Sequence, residues 1–84
     1  MTATLEPETK RSLTPEELRR LRLFRQRFGL TQTRVAVSLQ RATSWLSERE
    51  TGQRPMTLAE ERAVRQAIRE LAGLVAPASE EQSL

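Results

Sequence analysis

The residues of this 84-residue chain that could do chemistry are arginines, short hydroxyls and amides. Of the fourteen basic residues thirteen are Arg, whose planar fork of donors matches phosphate and guanine edges better than a lysine ammonium does. The run Thr43-Ser44-Trp45-Leu46-Ser47-Glu48 adds three hydroxyls and the chain's one indole. This is chemistry for recognition. Catalysis lacks its usual parts, because the chain has no His, no Cys and no Asp. That removes nucleophile–base pairs, imidazole acid–base groups and nearly every transition-metal constellation. Three glycines form no phosphate loop. Glu16 and Glu17 are a pair of carboxylates, yet they fall in a first helical turn, where the helix dipole favours anions. The expectation is a protein that is not an enzyme and that holds neither cofactor nor metal.

The charge is unevenly distributed. Residues 10–54 carry eleven basic and four acidic side chains, a local balance of +7, against −2 over residues 1–9 and −2 over residues 55–84. A concentrated basic segment fits a polyanionic partner. A solvated helix face is the bland alternative, and charge alone gives the two readings even weight. No apolar run approaches the roughly 20 residues of a membrane span, and no signal-peptide core opens the sequence. With no cysteine, a reducing cytoplasm is the expected compartment.

Helices must position these groups. Residues 1–12 hold Thr, Glu and Pro with Leu5 as the one large apolar side chain, and read as a flexible arm. Lys10 and Arg11 at its end could touch a polyanion, although an idle tail is the simpler reading. Thr14-Pro15-Glu16-Glu17 is a helix start with a capping box, and the helix runs to about Phe28 with Leu18, Leu21 and Phe24 inward. Arg19, Arg20, Arg22 and Arg27 lie outside that stripe. Leu30 and Thr31 open a short helix with Val35, Ala36 and Leu39 on one face. After a break at Gln40–Arg41 a second short helix, Thr43–Thr51, turns Leu46 inward and closes at Gly52. Thr57 to Glu60 repeats the capping signature, and Ala63, Val64, Ala67, Ile68 and Leu71 follow at helical spacing. Gly73 ends that helix, Leu74 and Val75 extend the apolar run, and residues 77–84 read as a solvated tail. One compact all-α domain over 13–76, with four to five helices, accounts for this pattern.

Residues 29–55 resemble the helix-turn-helix of the phage-repressor and Cro class, the XRE family. The matches are Gly29, Leu30, Thr31 and Gln32, then Ala36, then Leu46, Glu50 and Gly52 without a gap, with Phe24-Arg25 where the family has Leu-Arg. The likeness extends over roughly Leu18 to Leu71. It departs at Gln40, where the turn usually has Gly, at Arg41, at Ala42, where Ser would be typical, and at Arg49, where the family is commonly apolar. A non-Gly residue in a left-handed turn costs about 1 kcal/mol.

The resemblance implies a homodimeric transcriptional repressor that occludes a promoter by binding a palindromic DNA operator, in a phage or plasmid setting. The second helix of the motif would enter the major groove, making Thr43, Ser44, Trp45, Ser47 and Glu48 the base-reading residues. Trp45 has an alternative, packing back over Arg41 or the protein surface. Gln32, Thr33, Arg34, Arg41, Gln53 and Arg54 would meet the DNA backbone, Gln32 with help from the helix dipole. Arg25 and Glu50 would form the family's structural ion pair. Ile68, Leu71, Leu74 and Val75 supply the apolar surface for a dimer. Two other classes remain: an antitoxin that binds a protein partner and represses its own operon, and an architectural protein that binds DNA regardless of sequence.

Overall fold

A computed structural model describes residues 11–74, and over them the chain is helical. Four helices form: α1 (Pro15–Arg27), α2 (Gln32–Ser38), α3 (Thr43–Glu50) and α4 (Leu58–Leu71). Expectations for residues 1–10 and 75–84, including Lys10 and Val75, lie outside the described residues.

Three of the four helices begin on a threonine cap. Thr14 Oγ1 accepts from the Glu17 N–H at 3.2 Å while Glu17 Oε1 accepts from the Thr14 N–H at 2.8 Å, a complete capping box. Thr57 and Glu60 repeat it at 3.0 and 3.1 Å, and Thr31 caps α2 by accepting from Arg34 N–H at 3.1 Å. Helix α3 starts on Ala42, whose side chain cannot cap. An eight-residue helix is marginal alone, so α3 depends on its packing.

Helices α1, α2 and α4 also end alike. In each, a residue of positive φ follows the last turn, and its own N–H and that of the next residue bond back to the helix carbonyls. Glycine serves at Gly29 and Gly73, but α2 uses Gln40 at φ 60°. Gln40 N–H donates to Val37 O at 2.9 Å and Arg41 N–H to Ala36 O at 2.8 Å, so the turn into α3 is fully bonded despite the missing glycine.

Leu18, Leu21, Leu30, Val35, Ala36, Leu46, Val64, Ala67 and Ile68 form the core, with Phe24, Phe28, Leu39, Trp45, Leu58 and Leu71 packed on its edge. Two further members, Leu13 and Met56, carry no periodic signal. They are brought in by an antiparallel bridge between Ser12 and Thr57, in which Leu13 N–H donates to Met56 O and Leu58 N–H to Arg11 O. Arg11 and Ser12, expected in the flexible arm, are therefore fastened to the start of α4. Arg11 also makes a forked contact with Glu17 at 3.2 Å.

The core corrects two positions on α4. Ala63 is exposed rather than inward. Ile68 is 0% exposed within a single subunit, so it belongs to the core and offers no surface to a second copy. Leu71 is partly buried against the core, and Leu74, 55% exposed, keeps its apolar surface in solvent.

Candidate nucleic-acid interface

Helix α3 turns Leu46 and Glu50 inward, one turn apart. At 100° per residue that sends Ser44 and Glu48 to the opposite side with Ser47 on the flank, while Thr43, three residues before Leu46, stays near the inner face and is half-buried. The outer surface of α3 is therefore short and polar.

The far end of α3 is pinned by a buried polar network. Arg25 is 7% exposed and Glu50 1%. Glu50 accepts from Arg25 Nε at 2.8 Å and Nη2 at 2.9 Å, a forked contact that fixes both side chains. Gln32 Nε2 donates to the same carboxylate at 2.9 Å, and the remaining arm of Arg25 donates to Leu30 O at 2.7 Å. Arg22 Nη1 adds a bond to the Glu50 carbonyl at 3.1 Å. Helices α1, α2 and α3 thus meet on one carboxylate, and every donor aimed at it is satisfied. The sequence singled out Arg25 and Glu50 but put Gln32 on a phosphate and Arg22 outside; both are links in this network. Gln32 has committed one amide N–H to Glu50.

At the near end, Thr43 Oγ1 donates to Thr33 Oγ1 at 3.1 Å, tying the start of α3 to α2. Thr43 keeps its acceptor capacity. Ser44 is exposed, and its hydroxyl forms no hydrogen bond within the described residues. Arg34 and Arg41 are exposed, and neither has a carboxylate partner among the described residues. Gln53 is exposed beyond α3. Glu48 and Arg54, expected to act separately, are joined: their side chains meet at 3.3 Å and Arg54 N–H donates to Glu48 O at 3.1 Å. Exposed as they are, they form a weak pair that a polyanion can open.

Trp45 takes the inward of its two expected placements. Its ring packs against the core and lines a groove with Leu39, Arg41, Ala59, Glu60 and Ala63, toward α4. The Arg41 and Arg49 guanidinium carbons lie over the ring, 5.0 and 4.6 Å from its centroid. This removes Trp45 from the base-reading surface of α3. It also gives Arg49 its place on α3. Its stem packs inward, its head stacks on the indole, and its Nη1 donates to Trp45 O at 3.2 Å. The four-residue interval between Trp45 and Arg49 was the available signal.

Ion pairs on the rest of the surface take up Arg11, Arg19, Arg20 and Arg65. Glu16 meets Arg19 and Arg20 at 3.5 and 3.3 Å, Glu17 meets Arg11, and Glu61 meets Arg65 at 2.9 Å. Arg11's guanidinium, helped by the Thr14 N–H, holds the Glu17 carboxyl down at about 2. Near the start of α3, Arg34 and Arg41 have no carboxylate partner among the described residues.

Comparison with protein-family models, with curated proteins and with solved structures finds no match to this chain. Among the described residues no helix is long and apolar enough to cross a membrane.

Proposed function

We propose that this chain is a sequence-specific DNA-binding repressor that acts in the cytoplasm as a homodimer on a palindromic operator, without a cofactor. The observation that supports it most is the mounting of α3. One end is fixed by the buried Arg25–Glu50–Gln32 network. The other presents Thr43 and Ser44 near Arg34 and Arg41, neither of which has a carboxylate partner among the described residues. A rigid helix with short polar side chains fits the major groove, where base edges differ in donors and acceptors. Flanking cations serve the phosphates and set the register.

In this reading Thr43, Ser44, Ser47 and Glu48 face the bases, while Thr33, Arg34, Arg41, Gln53 and Arg54 face the backbone. Glu48 would exchange Arg54 for a cytosine amine as Arg54 moves to phosphate. A single subunit reaches too few base pairs to be selective, so two subunits would span half-sites about 34 Å apart. Leu74, with Leu71 beside it, is the apolar contact that the sequence puts forward; Leu23 and Val37 are the other exposed large apolar side chains among the described residues.

Selection of bound sequences from random duplex DNA tests the proposal. A dyad-symmetric motif should emerge, and affinity for it should drop roughly 10³-fold between about 50 and 200 mM salt. Retention of DNA with no enriched motif would favour an architectural binder instead. The antitoxin reading draws on Leu23, 50% exposed beside Arg20, Arg27 and Arg65. A stoichiometric small protein in native mass spectra of the purified complex would favour it.

A further inference from the structure

Resting on the DNA-binding proposal, we infer that Trp45 is a positioning residue whose indole holds Arg41 ready for a backbone phosphate at the junction of α2 and α3. The backbone of Arg41 is already fixed, since its N–H donates to Ala36 O in the turn that ends α2. What remains loose in an exposed arginine is the side chain, and binding an anion costs most of its rotamer freedom. Here the guanidinium is 5.0 Å from the Trp45 centroid, within the range of an attractive cation–π contact.

The platform itself is held firmly. Trp45 is half-buried and packs on the core. Arg49 shares its ring at 4.6 Å and bonds its carbonyl, while Arg49 Nε lies 3.8 Å from Glu60 of α4. The indole is thereby fixed from the α4 side, and Arg41 occupies the exposed side of the assembly.

The choice of an aromatic ring over a carboxylate matters for the charge. A glutamate would also restrain Arg41, but it would cancel the positive charge and compete with phosphate. The ring attracts the guanidinium without taking up its N–H donors as a carboxylate would, so they stay available to phosphate. Arg41 is restrained without being neutralised, in contrast to Arg19, Arg20 and Arg65, which all sit on carboxylates. This preorganisation raises DNA affinity without any contact between Trp45 and the bases.

A double-mutant cycle tests the coupling, with affinity for duplex DNA read by fluorescence anisotropy. The variants are Trp45→Leu, Arg41→Ala and the two combined, with Trp45→Phe as the conservative control. Leucine keeps apolar bulk in the groove and removes the aromatic face; phenylalanine keeps the face. Trp45→Leu should weaken binding about two- to fivefold per subunit, the range a surface cation–π contact supports. Trp45→Phe should retain most of the affinity, and Trp45→Leu should cost nothing further once Arg41 is Ala. Without DNA, the Arg41 side-chain N–H resonances should lose their ring-current shift in Trp45→Leu. Circular dichroism melts confirm that each variant is folded. If the leucine and Arg41 losses multiply, or if leucine and phenylalanine behave alike, the positioning role is wrong and the DNA-binding proposal stands. If the wild type binds no duplex at all, both fall together.

Discussion

Removing the charge of Glu50 puts the architecture of the site under the most direct load. Glu50→Gln keeps the shape and leaves Arg25, 7% exposed, as a buried cation without a counter-ion. One amide oxygen would replace two carboxylate oxygens that together accept from Arg25 Nε, Arg25 Nη2 and Gln32 Nε2. The new amide N–H group would face donors. Breaking a buried pair from one side costs about 3–5 kcal/mol. A domain the size of residues 11–74 has about 3–10 kcal/mol in total at the usual stability per residue, so the single change removes a third or more of it. Replacing both partners, Arg25→Met with Glu50→Leu, removes the stranded charge. It also deprives Leu30 O of the 2.7 Å bond from Arg25, a cost of about 1–3 kcal/mol for a buried carbonyl. The double variant should therefore be more stable than Glu50→Gln by about 2 kcal/mol. Urea unfolding followed by far-UV circular dichroism measures both, and an unchanged slope validates the comparison. A Glu50→Gln protein within about 1 kcal/mol of wild type would refute the view that this network carries α3.

Three other outcomes are expected. Gln40→Gly should stabilise the domain by about 0.5–1 kcal/mol, since φ 60° is strained for a side chain and glycine's greater unfolded-state entropy offsets part of the gain; a melting temperature that falls would contradict this. Glu17, with its pKa lowered to about 2 by Arg11, should contribute stability fully above its ordinary value near 4.5 and lose that contribution as pH falls toward 2. Its carboxyl titration by NMR should move up in Arg11→Ala, and an unmoved midpoint would remove Arg11 as the cause. Leu74→Glu should give a folded monomer in sedimentation with weaker operator binding, whereas an intact dimer would place the contact elsewhere.

The helices were legible because their ends carry local chemistry. Thr14, Thr31 and Thr57 cap, Gly29 and Gly73 terminate, and the apolar spacing between them names most of the core. Met56 and Leu13 were invisible because each stands alone among polar and Pro residues. Their burial arises from a bridge between segments more than forty positions apart, which no periodicity records. Ile68 was assigned to a dimer surface because a helical stripe does not say which of its members a single subunit can bury. Trp45 and Glu48 show the same limit on α3. The sequence placed both on the helix, but Arg41, Arg49 and Arg54, arriving from either side, decide where they are held. The Arg25–Glu50 pair could be named in advance only through a resemblance, because two residues twenty-five positions apart carry no local signal.

The central claim is that the exposed N-terminal part of α3 reads base sequence while its neighbours grip the backbone. Measuring Ser44→Ala and Arg34→Ala by anisotropy, each on the selected site and on random duplex, tests it most directly. Ser44→Ala should lose about 1–3 kcal/mol on the selected site and little on random DNA. Arg34→Ala should weaken both complexes alike and reduce the salt slope by about 1 per subunit. Equal behaviour of the two variants, or a wild type that binds selected and random DNA equally, would contradict the account.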